Sequence, residues 1–96
     1  MKSNNRTFDV ASYASQLQLS SKTQKRAEKI ISEAKQASLT SGKAPDTLVA
    51  AALYIASILD EDRRSQSEIS QVTGVSLSTI QIRYKELVRK LNIRRS

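Results

Sequence analysis

Apolar residues recur every three or four positions along most of this chain, but one stretch breaks the rhythm. From Leu48 to Leu59 every residue is apolar except Ser57. A helix that is apolar all round has no face to offer water, so neighbours must cover it on several sides. A buried strand would also fit the run. Ala50, Ala51, Ala52 and Ala56 favour helix, because alanine has the best helix propensity and adds little to a sheet. Pro45 suits a first helical turn. The pattern predicts a central helix over about Pro45 to Leu59. It is too short to span a bilayer, and Asp60, Glu61 and Asp62 close it with charge.

The flanking segments read as amphipathic helices. Val10, Tyr13, Ala14 and Leu17 fall on one face of a short helix, with Thr7 or Asp9 as candidate caps. A second helix begins at Ser20-Ser21, where Ser21 and Gln24 have capping-box spacing. Its apolar stripe is Ala27, Ile30, Ile31 and Ala34, extended by Ala37 or Leu39. Lys22, Lys25, Arg26, Lys29 and Lys35 mostly take its other faces, as on any solvated helix. Gly42 and Pro45 mark the break before the central helix. Beyond the charged loop, Ser65 and Glu68 have capping-box spacing for a short helix that turns Ile69 and Val72 inward and ends at Thr73-Gly74-Val75. Ser76 then caps a long last helix with an inner stripe of Leu77, Ile80, Tyr84, Leu87, Val88 and Leu91. The count is five helices in one all-α domain over residues 8–96, after a polar lead of residues 1–7 read as flexible.

Composition narrows the chemistry. Two glycines and one proline argue against a turn-rich β fold. The aromatic share of 4% leaves aliphatic side chains to fill the core. With no cysteine there are no disulfides or thiolate metal sites, and with no histidine the commonest general base is missing. No Gly-rich phosphate loop or nucleophile–base set appears, so neither an enzyme nor a cofactor is expected. The first residues lack the apolar core of a signal peptide, so the chain is expected to be cytoplasmic. The formal net charge of +7 attracts polyanions, although acidic proteins or simple solubility explain such charge equally well. Its placement says more: Arg83, Lys85, Arg89, Lys90, Arg94 and Arg95 crowd the last segment.

A short capped helix, a turn containing glycine and a longer helix form a helix-turn-helix pattern over about Ser65 to Leu91. Such corners also arise from packing alone. The polar face of the last helix adds to the case. Ser78, Ile82, Lys85 and Arg89 point away from the inner stripe, with Gln81 and Arg83 flanking them on opposite sides. Ser76, Ser78 and Thr79 make the first turn small and polar, which permits close approach to a groove floor. Gln81 suits an adenine edge, and Arg83 a guanine or a phosphate. Ile82 fits either contact with a thymine methyl or a singly exposed isoleucine. Lys85, Arg89 and Lys90 suit phosphates or a wet surface. Tyr54 and Tyr84, at core positions, are read as partly buried rather than base-stacking.

These residues, in order, resemble a known family. Gly42-Lys43-Ala44-Pro45, then AAALYIAS from Ala50 to Ser57, Arg64-Ser65-Gln66-Ser67-Glu68-Ile69, and Gly74-Val75 through Ser78-Thr79-Ile80 to Arg83-Tyr84-Lys85-Glu86-Leu87 resemble archaeal transcription factor B. The chain is similar to the second cyclin-like repeat of that TFIIB family over nearly all of residues 8–93. The resemblance implies a five-helix cyclin-like domain with the third helix at its centre and a helix-turn-helix formed by the last two helices. It implies promoter DNA as partner, read in the major groove at the recognition element upstream of the TATA box, beside TATA-binding protein. RNA polymerase would be met only through parts outside this chain. Ser78, Thr79, Gln81 and Arg83 fall on the family's recognition helix. Ser65 and Gln66 fall where the DNA backbone is held, and Lys43 falls at another phosphate contact. The family commonly has a basic residue where this chain has Gln81 and a polar one where it has Ile82, which implies altered site choice. Without cysteine the family's zinc ribbon is missing. An excised C-terminal domain is expected, or else a shortened paralogue, and a monomer, since no spare apolar helix offers a dimer interface. The competing class is a cyclin-like module that binds protein and keeps the helix-turn-helix corner only for packing.

Overall fold

The computed structural model describes residues 10–38 and 45–93, apart from the side chain of Pro45. Five helices make up the regular structure of the described residues. They are α1 (Val10–Gln16), α2 (Ser21–Gln36), α3 (Pro45–Leu59), α4 (Gln66–Thr73) and α5 (Leu77–Lys90). The expected caps Thr7 and Asp9, the break at Gly42, Lys43 and Leu39 lie outside the described residues.

The central helix sits where its composition requires. Val49, Ala50, Ala51, Ala52, Leu53, Ala56 and Ser57 are wholly buried, with Leu48 and Ile55 nearly so. Its alanines let neighbouring helices approach closely, and α2 and α5 make the most extensive contacts with it, with α4 and α1 completing the cover. Ala27, Ile30, Ile31 and Ala34 form the predicted stripe of α2. Ala37 does not extend it, being the exposed C-cap. The one polar residue within the run, Ser57, is satisfied locally. Its hydroxyl donates to the Tyr54 carbonyl at 2.8 Å and accepts from the Arg64 amide at 3.4 Å.

With few glycines, the chain uses other residues where helices must stop. Gln18, Ser38, Glu61 and Asn92 all take positive φ, between 55° and 61°. Each follows a helix, the position where a left-handed residue frees the last carbonyls for bonds to later amides. After α1, for example, the Leu19 amide reaches back to the Ala14 carbonyl at 2.9 Å.

The start of α2 differs from expectation. Ser20 is the N-cap, its hydroxyl accepting from the Thr23 amide at 3.2 Å, and Gln24 bonds Glu28 instead of closing a box with Ser21. The choice between the adjacent serines is made from afar. A carboxylate oxygen of Asp62, in the loop after α3, accepts from the Ser20 amide at 3.0 Å and from the buried Thr23 hydroxyl at 3.3 Å. The Ser20 amide bond, more than the nearby Arg64 charge, holds the Asp62 carboxyl below its ordinary pKa, against an opposing contribution from burial. The neighbouring Asp60 pairs with Arg26 of α2 at 2.7 Å. The charged loop is thus a clasp on the second helix.

Candidate nucleic-acid interface

The α4–turn–α5 corner begins with the box expected from sequence. The Ser65 amide donates to the Glu68 carboxylate at 2.8 Å, and the Glu68 amide donates to the Ser65 hydroxyl at 3.0 Å. Gly74 closes α4 in the left-handed region at φ 80°, and its amide bonds the Ser70 carbonyl at 2.8 Å. Thr73, buried, steadies the turn, its hydroxyl donating to the Ile69 carbonyl and accepting from the Val75 amide. Ser76 caps α5 by accepting from the Thr79 amide at 3.3 Å and donating to the Thr79 hydroxyl at 2.9 Å.

Burial then splits α5 into two faces. Ile80 and Leu87 are wholly buried, and Tyr84, Val88 and Leu91 pack against the core. Tyr84 meets Tyr54 of α3 edge to face, with ring centroids 4.9 Å apart, so the tyrosines fix the rotation of α5 about its axis. Leu77 is a correction to the expected inner stripe: at the first helical position it is 43% exposed. Val75 in the turn is buried instead, filling the core before the helix begins. Helical periodicity does not extend into a three-residue turn, so the sequence pattern marks Val75 only as a turn residue.

The opposite face is open. Ser76, Ser78, Gln81, Ile82, Lys85 and Arg89 are all exposed, and Thr79 is half-buried. Ile82 stands out at 66% exposure, an apolar side chain between the small polar first turn and the cations farther along α5. Arg89 and Lys90 also complement the partial negative charge at the end of α5, which explains them without any partner.

Two of the expected site residues have side-chain partners within the chain. Arg83 was expected as a side chain flanking the open face. Its side chain is 12% exposed, it is paired with Glu86 one turn along, and its Nε is buried without a partner. The pair and the burial together turn most of this guanidinium away from solvent. Gln66, expected near the DNA backbone, accepts from Gln81, whose Nε2 lies 3.0 Å from Gln66 Oε1. This bond crosses the corner from the start of α4 to the second turn of α5. The structure therefore brings Gln66, Ser76, Ser78, Thr79, Gln81 and Ile82 to one end of the corner, with Lys85 and Arg89 farther along α5.

Ser65, exposed, accepts the cap bond at its hydroxyl oxygen and keeps its own O–H proton for another partner. Among the described residues no group of histidine, cysteine or carboxylate side chains is disposed to hold a metal, and no helix is long and apolar enough to cross a membrane.

Comparison with known proteins agrees with this architecture. The model of the transcription factor TFIIB repeat matches residues 2–90. Transcription initiation factor IIB 1 of Thermococcus kodakarensis is 51% identical over 85 residues, which is 88% of this chain and 28% of that protein. Transcription initiation factor IIB of Pyrococcus furiosus gives the same identity and coverage. The Saccharolobus shibatae factor of that name is 50% identical over 84 residues, again 88% of this chain and 28% of its own length. The chain thus spans under a third of these relatives, whose names are those of transcription factors and not of enzymes. A cyclin-like all-α bundle with five described helices, matched almost from end to end, belongs to the transcription factor TFIIB repeat family.

Proposed function

We propose that this chain is a DNA-reading repeat of a general transcription initiation factor, seated in the major groove upstream of the TATA box beside TATA-binding protein. The observation that supports the reading most is the division of α5. One side is sealed against α3 through Ile80, Leu87 and the Tyr54–Tyr84 contact. The other offers small polar residues, Gln81, Ile82, Lys85 and Arg89 to solvent. Recognition helices read base edges near their N-termini while cations farther on neutralise phosphates. Ser78 and Gln81 take the first role here, and Lys85 and Arg89 the second. RNA polymerase is engaged by regions of the full factor outside this chain.

Footprinting of a TATA-containing promoter tests the reading. Protection upstream of the TATA box is expected when TATA-binding protein is present, weakened on every sequence by Arg89→Ala. No protection, with or without TATA-binding protein, overturns it. The exposure of Leu77 and Ile82 favours a second reading, a protein-docking corner. It predicts that promoter DNA with TATA-binding protein leaves the amide resonances of residues 76–83 unmoved.

A further inference from the structure

The bond between Gln66 and Gln81 gives the open face a chemical preference. A glutamine amide presents a donor and an acceptor, and its two orientations ordinarily compete. Here one Nε2 hydrogen of Gln81 is committed to Gln66 Oε1. In this orientation of the two amides Gln81 keeps one N–H and its Oε1 for another partner. An acceptor and a donor side by side is the pattern that adenine shows in the major groove, at N7 and at the N6 amino group. Guanine presents two acceptors there, so Gln81 Oε1 would meet O6 with no proton between them. The side chain suited to guanine is an arginine, and Arg83, the arginine nearest Gln81 on α5, is held by Glu86 and largely buried. Beside Gln81, the exposed Ile82 offers an apolar surface suited to the thymine methyl and to no other group at a base edge.

We propose that Gln66 and Gln81 act as one adenine-reading unit, with Gln66 as the positioning residue, Ile82 against a thymine methyl, and the Arg83–Glu86 pair withholding guanine recognition. The site is thereby specified as an A·T-preferring step under the first two turns of α5. The proposal deepens the DNA-reading function and rests on it.

The test is selection from promoters randomised upstream of the TATA box, using the full chain with TATA-binding protein, followed by titration of the selected duplex. Enrichment of adenine at one position is expected, and replacing that base by 7-deazaadenine should weaken binding about tenfold. Gln81→Ala should abolish sensitivity to the deaza substitution. Gln66→Ala should reduce it severalfold, whereas Gln66→Glu, which keeps an acceptor for Gln81, should retain the preference while binding all DNA less tightly. Replacing the neighbouring thymine by uracil should weaken wild type but not Ile82→Ala, and Glu86→Ala should admit guanine. Selection of G·C pairs, or an adenine preference unchanged in both Gln66→Ala and Gln81→Ala, overturns the unit while leaving DNA reading intact. Equal recovery of all sequences, or none, overturns both.

Discussion

The Arg64 guanidinium donates through Nε to the carbonyl of Leu17, 47 residues earlier, at 2.7 Å. Its Nη2 reaches the Gln18 carbonyl at 2.9 Å, and its Nη1 bonds the Arg63 carbonyl at 2.8 Å and pairs with Asp62 at 3.3 Å. One side chain thus closes the end of α1, where carbonyls lack helical partners, and ties it to the residue that precedes the Ser65 cap. The entry to the α4–turn–α5 corner is thereby anchored on the end of α1, which packs beside α4.

Loss of this anchor should be costly, because the carbonyls it serves become unsatisfied. Arg64→Ala is expected to lower unfolding free energy by about 2–3 kcal/mol, in line with hydrogen bonds to a charged donor. Arg64→Lys keeps the charge but not the fork, and should lose a large part of the same stability. Urea denaturation of both variants measures this, and a midpoint unchanged in Arg64→Ala would contradict the anchoring role.

Asp62 links acid to stability. Its folded pKa lies below the ordinary value of an aspartate, so the unfolded chain takes up its proton first. The contribution is complete above that value and is lost as pH falls through the lower folded pKa. Thermal melts from pH 5 to pH 2 should therefore show a decline that is shallower in Asp62→Asn. Parallel curves for the two proteins would show that the Ser20 and Arg64 contacts do not bias the ionisation.

Gly74 tests the turn without steric complication. A methyl added there meets nothing within 4 Å, so only the φ of 80° is at stake. Gly74→Ala should destabilise by about 1 kcal/mol, the usual size of a left-handed penalty, and Gly74→Asn by less. A cost of several kcal/mol would mean that the turn itself shifts.

The alanines of α3 make a prediction in the opposite sense from cavity formation. Ala51 is wholly buried, so Ala51→Leu forces helices apart in a packed interior. A loss of about 1–3 kcal/mol is expected from overpacking, read from the urea midpoint.

On DNA, Lys85→Ala and Arg89→Ala should each reduce the slope of log affinity against log salt by about 0.9, the loss of one phosphate contact. An unchanged slope would assign that cation to solvent.

How much of this was legible in the sequence depends on the range of the interaction concerned. The α3 boundaries, the Ser65–Glu68 box, the Ser76 cap and the Gly74 turn follow from residues within four positions of each other, and each is found where the pattern puts it. The Ser20 cap does not, because Asp62, 42 residues away, selects it over Ser21. The left-handed ends at Gln18, Ser38, Glu61 and Asn92 carry no glycine to announce them. On the candidate site, helical periodicity gave the open face of Ser78, Ile82, Lys85 and Arg89. It could not give the partner of Gln81, which depends on where the start of α4 lies against α5. The Arg83–Glu86 pair, three positions apart on one helix, lies within reach of the pattern and is missed when Arg83 is weighed only for outward contacts.

The enclosure of α3 bears on how the molecule is made. A rod with no wettable side is only partly sheltered by α1 and α2, and its remaining sides stay open until α4 and α5 have been synthesised, so early and late parts of the chain cannot settle separately. A nascent chain arrested after residue 64 should therefore engage chaperones or proteases that the finished protein escapes.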